Sequence, residues 1–282
     1  MKTPELQWVV DTGPDFRTQC LRAGVRQLDA ALITHPHTDH IMGFDDLRRF
    51  TFGEDQVIPV YGSPETLTAL RRVYDFAFSG HNRFAGYLKP DPQEITGPFR
   101  LGDTVVTPLP VQHGRVMTTG FLFQHAGGVR IAYIPDCKTI PESTMALMRD
   151  INVFIIDALR HREHPTHFNV TEALAAAREC RAGMTWLTHL SHELSHAALE
   201  AELPENVRIA TDGLVLEVPV LADNPSAVPV KVKVTLPITE QDWCEEIILL
   251  AELNPSPLAC RLQFTAAAGT AEAAVRIRLS QS

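Results

Sequence analysis

The stretch Thr34-His35-Pro36-His37-Thr38-Asp39-His40 decides how this chain folds and what it can hold. Three imidazoles and a carboxylate fall between positions 35 and 40, straight after the apolar run Leu28-Asp29-Ala30-Ala31-Leu32-Ile33. That run has the length of a buried strand. The polar residues therefore sit on the loop at its C-terminal end, where a rigid sheet holds them still. Neutral imidazole nitrogen and carboxylate oxygen suit borderline and hard divalent cations, and no thiol is present of the kind that closes structural zinc sites. His35 and His37 are placed to converge on one ion, with Asp39 and His40 pointing toward a second. The bland alternative is a surface loop that happens to be rich in histidine. It is disfavoured because candidate partners for the same chemistry recur downstream.

The rest of the chain is built to bury a large core. Its 282 residues, 45% of them apolar, suffice for one or two domains. No apolar run reaches the ~18 residues of a membrane span. Met1-Lys2-Thr3-Pro4-Glu5 lacks the basic-then-apolar layout of a signal peptide. The five cysteines (Cys20, Cys137, Cys180, Cys244, Cys260) form no close pair and leave an odd count. Reduced thiols and a cytoplasmic location are expected rather than a disulfide framework. A formal net charge of −9 makes the surface as a whole repel nucleic acid, although cations gathered in a pocket would still seat a small phosphate.

Toward the N-terminus, residues 7–10 form a short apolar strand ending in the turn Asp11-Thr12-Gly13-Pro14-Asp15, and 15–26 read as a helix. Toward the C-terminus, apolar spacing across 41–50 runs the histidine loop into a helix. A strand at 57–61 and a helix over 64–78 follow, with Ser63 as N-cap and Pro64 at the first helical position. Residues 79–98, rich in glycine and proline, read as a long loop or flap. Strands are expected at 104–111, 119–125 and 129–134, with Gly127-Gly128 as a hairpin signal. Then come a strand at 153–156, a helix over 170–182, a strand at 185–188, a helix over 192–201 and a strand pair over 207–218 around Asp212-Gly213. Strands alternate with helices at both ends while the middle is a β-meander, which suits two sheets sandwiched between helices. Residues 220–229 read as a linker. Beyond it, strands at 230–236, 258–264 and 274–279 and an amphipathic helix over 239–253 make a small α+β appendage. The expected domains are thus 1–219 and 230–282, joined by 220–229.

Four more candidate ligands sit at strand ends. His113 follows Leu109-Pro110-Val111-Gln112 and precedes Gly114, which lets the backbone turn close to a site; Asp136 follows Ile131-Ala132-Tyr133-Ile134-Pro135; His189 follows Trp186-Leu187-Thr188. One ligand per strand end is the layout of a preorganised site. A carboxylate beside an apolar strand, as at Asp136, is costly unless it is paired. Asp157 follows Val153-Phe154-Ile155-Ile156 and has two readings, a cap for the next segment or an orienter of His161.

These residues carry a resemblance. His35-x-His37-x-Asp39-His40 followed by lone His113, Asp136 and His189 resembles the metallo-β-lactamase superfamily. Asp11-Thr12-Gly13-Pro14-Asp15, Gly43-Phe44-Asp45-Asp46-Leu47-Arg48 and Leu187-Thr188-His189-Leu190-Ser191-His192 are similar to its phosphodiesterase branch, which includes phosphoribosyl 1,2-cyclic phosphate phosphodiesterases. The likeness spans roughly 7–218. It implies an αββα sandwich, α/β in class, with two divalent ions, zinc or manganese with iron also acceptable. His35, His37 and His113 would hold one ion, Asp39, His40 and His189 the other, and Asp136 would bridge them. Such a pair lowers the pKa of a shared water, clamps phosphoryl oxygens and steadies the leaving oxygen. Asp39 would also take part in catalysis. Asp11 matches the family's acidic residue beside the metal loop, orienting an imidazole through its far nitrogen.

In His161-Arg162-Glu163-His164-Pro165-Thr166-His167-Phe168-Asn169, the family supplies a histidine as proton donor or substrate clamp. His167, at the mouth of a helix N-terminus, is the best match, with His164 second. In relatives the counterpart of His192 joins cysteines absent here, so His192 is expected on a helix; His81, His125 and His196 carry no assigned role.

Family members usually begin with one or two further strands before the Asp-Thr-Gly strand; the sheet is expected here either to lack them or to have its exposed edge covered by something else, the appendage or a second subunit, as in a homodimer. The expected activity is hydrolysis of a small phosphate ester, most readily a cyclic diester. An RNA-processing nuclease similar to the tRNA 3′-end endonucleases, and a thioester or lactone hydrolase, are the rivals. Arg48, Arg115, Arg160 and Arg162 favour phosphate.

Overall fold

The computed structural model describes residues 1–53, 56–79, 84, 86–218, 228–233, 239, 241, 243–250, 258–265, 267 and 271–277. Alternation along one short strand explains the layering. In β2 (Ala30–Leu32), Ala30 and Leu32 face one core while Ala31 and the following Ile33 face another. A strand buried on both faces reads as a continuous apolar run, as this one does. It lies in a parallel four-stranded sheet ordered β1 (Trp8–Val10), β2, β3 (Ile58–Gly62), β4 (Pro90–Glu94).

The second sheet has seven strands. In chain order these are β5 (Phe99–Leu101), β6 (Thr104–His113), β7 (Val116–His125), β8 (Arg130–Ile134), β9 (Val153–Asp157), β10 (Met184–Thr188) and β11 (Val207–Ile209), and they lie side by side in that sequence. β5 to β8 run antiparallel, as the expected meander, and β8 to β11 run parallel. The inner faces meet through Trp8, Leu32, Val106, Phe121 and Phe123. Crossover helices cover the outer faces, as parallel pairs require. On the four-stranded sheet these are α1 (Phe16–Arg22), α2 (Thr38–Ile41), a 3-10 turn at Phe44–Phe50, α3 (Pro64–Val73) and α4 (Asp75–Phe78). On the other they are α5 (Glu142–Leu147), α6 (Val170–Glu179) and α7 (His196–Glu202). This is the αββα sandwich.

Local signals act as expected at two helix starts. The Ser63 hydroxyl accepts the Thr66 N–H at 3.2 Å and so caps α3. Asn169 and Glu172 form a reciprocal capping box on α6, each side chain 2.8 Å from the other's backbone N–H.

Several expectations are corrected. The 79–98 segment, partly outside the described residues, contains β4, whose Pro90 and Pro92 are tolerated because it is an edge strand. Of 207–218 only β11 is a strand; Gly213 turns at φ +87, and Leu214 and Val215 are exposed with no strand partner among the described residues. The 192–201 helix starts at His196, leaving His192 exposed in a turn. Within 239–253, the stretch β13 (Glu246–Leu250) is a strand, antiparallel to β14 (Leu258–Gln263). Two adjacent isoleucines and a pairing partner outweigh the helical spacing there. β12 (Val228–Lys233) pairs with β15 (Glu272–Ile277), so 228 and 229 of the expected linker belong to a strand, and the rest of that linker lies outside the described residues. The free edge of β1 is met by the chain's own first residues: the Met1 ammonium donates to Trp8 O at 2.6 Å, Trp8 N donates to Met1 O at 2.9 Å, and Lys2 bridges Gln7.

By contacts the chain divides into one compact unit of residues 1–126 with 130–215, and another of 127–129 with 216–282. No helix among the described residues is long and apolar enough to cross a membrane.

Candidate metal centre

The histidine loop leaves β2 tethered on several sides. Ile33 N donates to Tyr61 O of β3 at 2.8 Å, and Thr119 N of β7, in the opposite sheet, donates to Thr34 O at 3.1 Å. Behind α2, Thr12 N donates to His40 O at 2.7 Å and Gly43 N to Thr12 O at 2.8 Å. A Cβ at Gly43 would stand 2.3 Å from Gly13 O, so only glycine allows this approach. Asp11 and His189 hold left-handed backbones, with φ of 61° and 58°. Such conformations in non-glycine residues gather where geometry is imposed by function.

The seven expected ligands come together. Donor atoms of His35, His37, His113 and Asp136 lie within 4.8 Å of one another, and so do those of Asp39, His40 and His189. Asp136 joins the two groups. Its Oδ2 lies 3.7 Å from His35 Nε2 and 3.8 Å from His113 Nε2, while its Oδ1 lies 3.1 Å from His40 Nε2 and 3.5 Å from His189 Nε2. Asp39 Oδ2 is 3.5 Å from both His40 Nε2 and His189 Nε2.

Three imidazoles have their far nitrogen committed, which fixes the face they offer. His40 Nδ1 donates to Asp11 Oδ2 at 2.7 Å, the orienting role expected of Asp11. His113 Nδ1 donates to Thr166 O at 2.7 Å. The Thr34 hydroxyl spends its proton on Asp11 Oδ2, so at 3.0 Å His35 Nδ1 is the donor and Thr34 Oγ1 the acceptor. In each ring it is then Nε2 that faces the centre. His35 Nε2 in turn faces His37 Nδ1 at 2.9 Å.

Charge and burial pull against one another here. Burial pushes His35 down to about 3, and it also lowers His113, so both are neutral near pH 7. Burial alone would lower His40 too, but the Asp11 hydrogen bond and the charges of Asp11 and Asp136 raise it to about 10. Asp136 lies well below the usual carboxylate range: its burial opposes this, and the close approach of His40 with the His189 and His40 charges outweighs it. A divalent ion at His40 Nε2 would take the place of that proton.

The donor set fits such an ion. His40 Nε2 and Asp136 Oδ1 are buried without a hydrogen bond, an arrangement that is costly unless a cation satisfies it. Imidazole nitrogen and carboxylate oxygen without thiolate match zinc, manganese or iron.

His167 joins the cluster and His164 less so. The His167 ring stands between those of His113 and His189, with centroids 4.6 and 4.9 Å away. Its Nδ1 donates to Asp157 Oδ2 at 2.8 Å, and Cys137 N donates to the same oxygen at 3.0 Å. Asp157 therefore orients His167, not His161, which is exposed. Burial opposes the charged imidazole, yet the Asp157 hydrogen bond and charge raise the His167 pKa. Asp157, His167 and His189 also form a third close donor group, but the Asp157–His167 hydrogen bond already occupies one of its contacts. His164 has no carboxylate partner among the described residues; its Nδ1 accepts the Thr166 N–H at 3.3 Å, and burial lowers its pKa. Gly114, at φ +63, lets Thr166 come close: a Cβ there would stand 2.6 Å from the Thr166 methyl.

Thr34 and Thr166 were not anticipated, because their roles depend on contacts that spacing does not encode. Asp157 carried the same signal as the other ligands, a polar residue ending an apolar strand. The arginines are mostly committed: Arg48 pairs with Asp45 at 3.1 Å, and Arg160 and Arg162 with Glu193 at 3.3 and 2.9 Å. His125 lies on β7, His196 is exposed, and His81 lies outside the described residues.

An octanoyltransferase of Porphyromonas gingivalis is 32% identical over 73% of this chain, yet this chain spans only 41% of that protein's length. A ribonuclease Z of Bradyrhizobium diazoefficiens is 30% identical across 72% of this chain and 87% of its own. Among solved structures, a diphosphatase of the PhnP family superposes with a TM-score of 0.66 at 33% identity, covering 73% of this chain and 77% of its own. The sequence profile of the sulfur oxidation protein SoxY matches residues 201–282. The profile of the beta-lactamase superfamily domain matches residues 7–190, most of the chain and all seven candidate ligands, and the chain belongs to that superfamily of metallo-β-lactamase-fold hydrolases.

Proposed function

We propose that the chain hydrolyses a small phosphate diester, most readily a cyclic one, with two divalent ions held by His35, His37 and His113 and by Asp39, His40 and His189. The observation that carries this reading is the division of Asp136, one oxygen facing each set of histidines. Bound there, two ions would supply Lewis acidity that lowers the pKa of an attacking water and offsets phosphoryl charge.

The chain's own residues do the rest. Asp11, Thr34 and the Thr166 carbonyl hold three ring orientations through hydrogen bonds of 2.7 to 3.0 Å. Asp157 keeps the His167 proton on Nδ1 and turns Nε2 away from itself, toward the side where a leaving oxygen needs a proton. With its pKa raised, His167 stays protonated further into the neutral range, as a general acid must. Asp39, whose side chain is 57% exposed, is a ligand open to an arriving substrate. Likeness to a PhnP-family diphosphatase and to a ribonuclease Z favours phosphate as the reacting group. A net charge of −9 weighs against long RNA. On this reading 1–219 is the hydrolytic domain and 230–282 a separate appendage.

A second reading, hydrolysis of an acyl thioester, is favoured by the octanoyltransferase match, although that name belongs to a protein of which this chain spans 41%. Zinc- or manganese-loaded protein should be assayed against bis(p-nitrophenyl) phosphate, cyclic nucleotides, pre-tRNA and octanoyl thioesters. Preference for a cyclic diester supports the first reading. Activity on the thioester alone would replace it.

A further inference from the structure

The two-residue turn Gly114-Arg115 closes the hairpin of β6 and β7, with His113 directly opposite Val116. Left-handed Gly114, at φ +63, suits so tight a turn. Opposed residues of an antiparallel pair share one face of the sheet, with Cβ atoms about 4.5–5.5 Å apart. The isopropyl group of Val116 therefore stands beside the His113 side chain, while Met117 takes the other face. Hydrogen bonds hold the tip in place. Gln112 Nε2 donates to Gly114 O at 3.2 Å, Gln112 N to Thr139 O at 2.9 Å, and Lys138 N to Gln112 O at 2.7 Å. Gly114 leaves room for the methyl of Thr166, the residue whose carbonyl accepts from His113 Nδ1 at 2.7 Å.

Val116 is 48% exposed and Met117 59%. An exposed apolar side chain is ordinary, and by itself it says nothing. Position separates these two. The His113 ring beside Val116 is buried, with Nε2 3.8 Å from Asp136 Oδ2 and its centroid 4.6 Å from that of His167. His167 is the group placed to give a proton to the leaving oxygen. Whatever carries that oxygen must then come to the side of the centre where His113 and His167 meet, and Val116 offers it an apolar surface there. Imidazole faces and an isopropyl group pack well on a flat apolar group. A hydroxylated group would exchange its water for a surface that offers no hydrogen bond.

We propose that Val116 is a specificity residue, against which the organic group on the leaving oxygen lies. The substrate class is a phosphate diester whose leaving oxygen is borne by a flat, apolar group such as an aryl ring. The rule is the same when that group stays tethered by a second ester bond, as in a cyclic diester. This rests on the phosphodiesterase reading and narrows it.

Calorimetric titration of the metal-loaded protein with phenylphosphonate and with methylphosphonate tests it without turnover. Both bring the same phosphoryl anion to the centre, and only the organic group differs. The wild type should bind phenylphosphonate about tenfold more tightly, the worth of removing roughly 55 Å² of apolar surface from water. In V116S that ratio should fall to within about twofold of one. V116T keeps the branched shape that strands favour, and should lower the ratio in the same direction. M117S, altered on the opposite face, should keep the wild-type ratio. A ratio near one in the wild type, an unchanged ratio in V116S and V116T, or equal losses in V116S and M117S overturns the proposal. If neither phosphonate binds, the phosphodiesterase reading itself fails and takes the proposal with it.

Discussion

Replacing Asp11 by asparagine separates the two halves of the centre. Asp11 is surrounded by donors: Oδ1 takes Thr34 N at 2.7 Å, and Oδ2 takes the Thr34 hydroxyl at 2.7 Å and His40 Nδ1 at 2.7 Å. Asparagine keeps the shape and tolerates the left-handed backbone at φ 61°. If its oxygen stays on Thr34 N, its NH₂ faces His40 Nδ1, and donor then meets donor. The imidazole escapes by moving its proton to Nε2, which removes the lone pair that would face the ion. Loss of such a supporting hydrogen bond costs about 10- to 100-fold in metal affinity, or ~1.4 to 2.8 kcal/mol. His37 and His113 make no hydrogen bond to Asp11, and His35 reaches it only through the Thr34 hydroxyl, so the first ion is the less affected of the two. Zinc titration of the metal-free protein against a chromophoric chelator should show one site weakened by that factor and the other held within about threefold. Two sites weakened equally, or neither, would refute the assignment of Asp11 to His40 as the carrier of the effect.

Replacing His167 by alanine should cut turnover by about 10²- to 10⁴-fold, the usual worth of a general acid, with metal content by elemental analysis unchanged; wild-type rates would end that role. In D157N the partner that raises His167 is gone, so the basic limb of the pH–rate profile should move to lower pH, because the acid loses its proton sooner. Gly43→Ala forces a Cβ to within 2.3 Å of Gly13 O and should destabilise the fold by about 1–3 kcal/mol, read as a lower Tm. Cys137 and Cys180 are buried, and burial pushes the Cys180 thiol up to about 11. They should resist a thiol reagent in the native state. Because the folded chain keeps the Cys180 proton to higher pH than the unfolded one, its share of stability is present below the ordinary thiol range and is lost as pH rises through about 11.

The ligand loop and the strand-end residues were legible because two local signals coincide there, an apolar run of strand length and a polar residue at its end. Asp136 and His189 could be picked out by that rule, and so could Asp157. What Asp157 touches could not be read: His161 and His167 both lie a few positions downstream, and the choice is made by how the 160–169 loop packs against His113 through Thr166. β4 was hidden by its prolines, which are tolerated because, among the described residues, no strand lies beyond it. β13 was misread as helix because periodicity over so short a segment cannot see the partner strand β14, to which Glu246 and Ile247 are joined through Gln263 and Leu262.

Neither sheet owns the centre. Asp11 and the 35–40 loop hang from the four-stranded layer, while His113, Asp136 and His189 hang from the seven-stranded one. The gap an ion must fill is therefore set by how the two layers register. Trp8, Phe121 and Phe123 pack between the layers and act as shims in that gap. On the proposed two-ion reading, a slightly thinner or thicker side chain among them would shift one ligand set against the other, so part of any ionic selectivity would be written in the grease.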